Sequence, residues 1–159
     1  MAQAVEFHTG VADTLAFACR LLRKAYRHGA TVLCLAPPAR LDALDRALWT
    51  FVEREFVPHV RLAGTVENML RRTPIWLASA LPAAGAAREV VLNLGGDLPV
   101  AAAEAEGAEG RAREASRARV IEVIGADADE VERGRALWRQ YKAAGFEVVH
   151  HPFKAARED

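Results

Sequence analysis

RVIEVIGADADEVERGRALWRQYKAAGFEVVHH, residues 119–151, decides the fold. Its first seven residues are mostly apolar and read as a strand covered on both faces. Acidic residues follow, then apolar positions at helical spacing predict a helix from about Asp127 to Ala144. Gly145 is a natural stop, and FEVVHH (146–151) is extended again. Strand, helix and strand in one short span are the building block of a parallel sheet.

The same alternation runs outward along the chain. VEFHTG (5–10) reads as a short strand ending at a turn. A helix follows over 11–28, with Leu15, Ala18, Cys19, Leu22 and Tyr26 as its stripe and Gly29 as its stop. TVLCLA (31–36) is a second buried strand, ended by Pro37 and Pro38. The next helix has Leu41, Leu44, Leu48, Phe51 and Val52 on one face. EFVPHVRL is irregular, then extended. PIWLAS (74–79) and VVLNLG (90–95) are two more buried strands. The pattern predicts one three-layer, Rossmann-like α/β domain over residues 1–159, with a largely parallel central sheet. Residues 81–90 read as a loop. Residues 100–117, rich in Ala, Glu and Gly, read as a mobile, partly helical surface segment, and the tail from 154 is expected to fray.

The chain has 159 residues, 52% of them apolar and 26% charged, which suits one hydrophobic core. Its 21 basic residues balance 21 acidic ones. A general nucleic-acid-binding surface usually carries a basic excess, so an acidic partner would have to meet a local patch. No apolar run approaches the roughly 18 residues of a membrane span. The start has no secretion signal, and a cytoplasmic location is expected. Cys19 and Cys34 fit no metal or CxxC spacing and read as small buried apolar residues.

Catalytic loops are scarce. Neither GxxxxGK[ST], GxGxxG after a strand, nor GxSxG occurs. NLGGDLP (93–99) follows a strand and would cradle a phosphate or simply turn the chain. His150 and His151 point to opposite faces of a strand and cannot share a metal. His59 reads as a surface or hydrogen-bonded residue in a loop. His8 stands near a strand end, where chemistry is often placed, but nothing in the sequence puts a partner beside it. No cofactor, metal or catalytic set is expected.

The helix after Asp127 carries the best candidate. With Val131 at zero on a wheel of about 100° per residue, Ala144, Leu137, Tyr141 and Gly134 span about 220–300° and face the sheet. Lys142, Arg135 and Arg139 fall at about 20°, 40° and 80°, and Trp138 at about 340° borders them. Acids early and bases late suit the helix dipole, and Asp127 with Glu130 resembles a capping box. That accounts for bases lying late. It does not explain their gathering beside an indole, because Arg133 lies elsewhere on the wheel. The alternative is a docking notch: guanidiniums bind carboxylates, and the indole walls a pocket for an apolar side chain.

LDALDRALWTF with FVPH, TPIWLA, VVLNLG, RVIEVIG and YKAAGFE, in this order, resemble the chi subunit of bacterial DNA polymerase III, a part of the clamp-loader assembly. The opening FHTG…ACRLLRKAYRHGATVLCLA resembles it too, so the likeness runs through nearly the whole chain. It implies a non-catalytic α/β protein that joins the psi subunit, and through it the clamp loader. It also implies that the chain holds the acidic C-terminal tail of single-stranded-DNA-binding protein, which ends in a Pro-Phe carboxylate. Specific DNA contact is not implied. The tail-binding residues carry over to Arg135, Trp138 and Arg139, with Lys142 on the same face. The family commonly has Arg, Tyr and Lys at the first three positions, and a further Lys near Val131 that is missing here. The psi-facing surface carries over to Trp49 and Phe56. Trp49 lies about 60° beyond its helix's apolar stripe, where a core-edge residue would also fit. The Ala-rich segment from Val100 departs from the family. Two rivals stay open. One is a small enzyme using His8 and NLGGDLP on a nucleotide or phosphorylated metabolite. The other is a structural subunit whose only working surface is that around Trp49.

Overall fold

The computed structural model describes residues 4–80, 88–96 and 118–153. The readings made for residues 81–87, 97–117 and 154–159 lie outside them. The elements run β1 (Ala4–Val11), α1 (Thr14–Arg27), β2 (Val32–Leu35), α2 (Pro38–Thr50), β3 (His59–Arg61), α3 (Glu67–Arg72) and β4 (Ile75–Ala78). They continue with β5 (Val90–Asn93), β6 (Arg119–Gly125), α4 (Ala128–Ala143) and β7 (Glu147–Pro152). The seven strands form one sheet in the order β3-β4-β2-β5-β6-β1-β7, and every pairing is parallel. This is the three-layer α/β architecture that the alternation of apolar runs predicts.

A parallel sheet needs cover on both faces, which is why the strands β2 and β4 are apolar throughout. All four residues of β2 and all four of β4 are buried. On one face, Ala18, Cys19 and Leu22 of α1 and Leu41, Leu44 and Leu48 of α2 pack with Cys34, Ile121 and Val123. On the other, Leu137 and Tyr141 of α4 pack with Val5, Phe7, Val120 and Ile124, and Trp138 lies against this cluster. Alternate residues of β6 thus feed the two cores, as the pleat requires. β7 closes one edge, and none of its residues is fully buried.

Several boundaries differ from the sequence reading. Val11 ends β1 and is buried, so α1 starts later, where the Asp13 side chain accepts from the Ala16 amide at 3.0 Å. Tyr26, placed on the buried stripe of α1, is 40% exposed at its last turn. Phe51 and Val52 lie beyond the end of α2 and are partly buried. Ala144 is the C-cap of α4 and exposed rather than facing the sheet. The chain turns away at Gly145, whose φ of 89° suits glycine alone. α3 was not anticipated: none of its six residues is buried, so no apolar stripe marks it.

Candidate functional site

The site is built from one helix laid on one strand edge. Asp127 caps α4 by accepting from the Glu130 amide at 2.9 Å. Only half of a capping box forms, because the Glu130 carboxylate turns to Arg133 at 2.6 Å and Arg40 at 3.3 Å. Gly134 lets the helix approach β6 closely, since a Cβ there would stand 2.9 Å from Ile124 Cγ2. That approach lays the next turn over β1. Trp138 meets Phe7 edge-on, with centroids 5.3 Å apart and planes at 63°. On its other side the indole meets His150 of β7 at 5.8 Å and 90°. Thr9 Oγ1 hydrogen-bonds His150 Nε2 at 2.6 Å and fixes that ring.

These contacts leave a cleft of about 560 Å³ between α4 and the β1–β7 edge. Phe7, Trp138 and Val131 give it apolar walls, while Arg135, Arg139 and His150 supply polar groups. Trp138 is partly buried, and both arginines are exposed. Neither arginine forms an ion pair with a described residue. The contrast with Arg133 is clear. Its Nε donates to Glu130 at 2.6 Å and its Nη2 to the Val123 carbonyl at 3.0 Å, and it points to a different crevice. It therefore does not replace the cation missing near Val131. Lys142 is exposed one turn further on and does not line the cleft.

Trp49 and Phe56 come together elsewhere. They are 59% and 57% exposed, with ring centroids 5.3 Å apart. His59 supports the pair. It is buried rather than at the surface, sits 5.1 Å from Trp49, and contacts Asp45 at 2.9 Å and the Val57 carbonyl at 2.7 Å. Glu55 anchors the segment to α1 by accepting from Arg23 at 2.6 and 2.7 Å and from Arg27 at 2.7 Å.

His8 and the turn after β5 are not brought together in a catalytic arrangement. Asn93 closes that turn by accepting from the Gly96 amide at 2.8 Å. Arg40 lies over Gly95 and donates to the Leu94 carbonyl at 2.6 Å. Asp97 to Pro99 are outside the described residues. His8 stands on the opposite face from the cleft, stacked on His151 at 4.9 Å.

Sequence reasoning missed Glu122, which is wholly buried behind α4. Its Oε1 accepts from Tyr141 at 2.6 Å and from Asn93 at 2.9 Å, and its Oε2 has no partner among the described residues. Burial pushes its pKa up to about 7, against the opposing pull of those two hydrogen bonds. A lone acid inside the apolar run RVIEVIG was the available signal. It did not say which way the side chain would face.

The family profile described as DNA polymerase III chi subunit, HolC, matches residues 1–149. The chain belongs to the chi family. Membership places it among the accessory subunits of the DNA polymerase III holoenzyme. No curated protein matches it. Among solved structures, the chi chain is similar to Mss116p DEAD-box helicase domain 2 bound to an RNA duplex, with TM-score 0.60 and 16% identity. That likeness covers 99% of this chain and 66% of the other, so the chain spans just under two thirds of the helicase domain. It is also similar to the S. cerevisiae Dbp5 C-terminal domain bound to Gle1 and IP6, with TM-score 0.56 and 13% identity over 96% of this chain and 90% of that one. At such identities the likeness is one of fold. Among the described residues, no helix is long and apolar enough to cross a membrane.

Proposed function

We propose that this chi-family chain is a non-catalytic adaptor, holding the acidic C-terminal tail of single-stranded-DNA-binding protein in the cleft beside Trp138. The observation that carries this reading is the pair Arg135 and Arg139, neither with a carboxylate partner among the described residues, on the rim of an apolar cleft. A C-terminal carboxylate next to an aromatic residue is the complementary ligand. The guanidiniums take the charge, and Trp138, Phe7 and Val131 take the ring. Exposed ion pairs contribute about 0.2–1 kcal/mol each and a buried aromatic about 1.5–3 kcal/mol, so binding is roughly micromolar after the cost of association. Several tails on one coat protein raise the effective affinity by linkage. Lys142 adds long-range attraction that salt screens.

The exposed Trp49–Phe56 pair is the candidate surface for the psi subunit, and through it the clamp loader. Two adjacent exposed rings suit an apolar partner. The neutral charge balance fits an adaptor that makes no specific DNA contact and works in the cytoplasm.

Titration of the chain with a labelled acidic peptide ending in Pro-Phe tests the cleft. Trp138→Ala and Arg135→Ala weaken binding, His8→Ala leaves it intact, and added salt lowers it. Unchanged binding in both cleft variants removes this assignment. Loss of co-purification with a coexpressed psi subunit in Trp49→Ala tests the second surface, and retention there would exclude it.

A further inference from the structure

His150 and His151 face opposite sides of β7. His150 belongs to the cleft, which leaves His151 on the face covered by α1. There it pairs in register with His8 of β1, and the two imidazoles stack at 4.9 Å with planes 20° apart. Glu6, two residues earlier on β1, shares that face and comes within 3.6 Å of His151 Nε2. One donor atom from each of the three lies within 4.8 Å of the others. We propose that Glu6, His8 and His151 form a binding site for a divalent transition-metal ion of the Zn²⁺ type.

Donors sharing one such ion sit about 2.0–2.2 Å from it, so a pair can be at most roughly 4.4 Å apart. The stacked rings must turn until their in-plane lone pairs converge on one ion, and the donor atoms then close by a few tenths of an ångström. Both β-strands are already hydrogen-bonded in register, so the backbone needs no change. Two imidazoles and one carboxylate match zinc and its neighbours, whereas Mg²⁺ and Ca²⁺ demand oxygen donors.

The surroundings fit the same chemistry. Arg119 donates to both Glu6 oxygens, at 2.6 and 2.9 Å. Each carboxylate oxygen has a second lone pair, so the guanidinium can orient the ligand without blocking it. Phe17 lies against His8 at 5.4 Å, and Phe153 lies against Phe17, giving an apolar border. His151 is 47% exposed, which gives an ion access from solvent. The two cysteines are buried and do not compete for it.

Isothermal titration of the tag-free full chain with Zn²⁺, repeated with Co²⁺ for its visible absorption, tests the site. One equivalent should bind and raise the melting temperature, while Mg²⁺ should do neither. His8→Ala, His151→Gln and Glu6→Gln should each lose that equivalent, and His28→Ala, at the exposed histidine just past α1, should keep it. Metal-free melting of each variant verifies the fold, and half-exposed His151 is the substitution least able to disturb it. Absence of a saturable equivalent, or its survival in His151→Gln, overturns the site. The peptide titration is independent of both results, because the cleft lies on the other face.

Discussion

Tyr141 and Trp138, three residues apart on α4, both pack edge-on against Phe7, at 5.8 and 5.3 Å. Each stands beside ionisable groups. At Tyr141 the acid is sealed inside: Glu122 is 0% exposed and takes its hydrogen bonds from Tyr141 and Asn93. At Trp138 the charges are Arg135 and Arg139, exposed and without ion-pair partners among the described residues. The same ring chemistry from one helix thus serves two ends. Where water is excluded, an acid must find donors or keep its proton, and the result is a specified core. Where water remains, unpaired cations cost little and stay available to an anion from outside.

Phe7 is common to both halves, so its removal tests whether they stand on one support. Phe7→Ala should cost about 3–5 kcal/mol, read from urea midpoints, and should also weaken peptide binding. Full binding in a destabilised Phe7→Ala chain would separate the two halves. Glu122 gives the next largest effect. The folded chain keeps this proton up to about pH 7, against an ordinary value of 4.5, so folding favours the protonated side chain. Its contribution to stability is complete below pH 4.5 and declines as pH rises through 7. The loss is on the order of 3 kcal/mol. Glu122→Gln should remove this part of the pH dependence, leaving the variant relatively more stable at pH 8 than at pH 5. A parallel profile in both chains would place the ionised form inside without penalty.

The open half responds in binding rather than in stability. Trp138→Ala should lower peptide affinity roughly tenfold or more by fluorescence anisotropy, as loss of a central aromatic anchor does. Its melting temperature should fall less than that of Phe7→Ala. Arg135→Ala and Arg139→Ala should each lower affinity roughly two- to fivefold, with a shallower salt dependence and an unchanged melting temperature. A large stability loss in either arginine variant would mean that its charge is already used within the fold, and the contrast with Glu122 would vanish.

Much of this architecture was legible before any coordinates. Runs such as VLCL and IWLA are apolar at every position because a parallel strand between two helical layers has no wet side. That Arg135, Trp138 and Arg139 share one face of α4 was legible from a 3.6-residue period. α3 was not, because a six-residue helix with no buried position leaves no pattern. Nor was the burial of His59, which depends on Asp45 approaching it from α2. The meeting of His8 with His151 depends on pairing between strands almost a whole chain apart.

Local periodicity, read along a few turns or a few pleats, is enough to set the order of elements and the face of α4 that bears Arg135, Trp138, Arg139 and Lys142. It cannot say which arginine is already occupied. Arg133 is bound to Glu130 and to the Val123 carbonyl, and Arg40 from α2 shares the same carboxylate, whereas Arg135 and Arg139 meet no such group among the described residues. Glu130 is a neighbour on the same helix, but the Val123 carbonyl and Arg40 come from other segments, and the packing of β1, β6 and α2 around α4 determines which charges are consumed and which remain for a ligand.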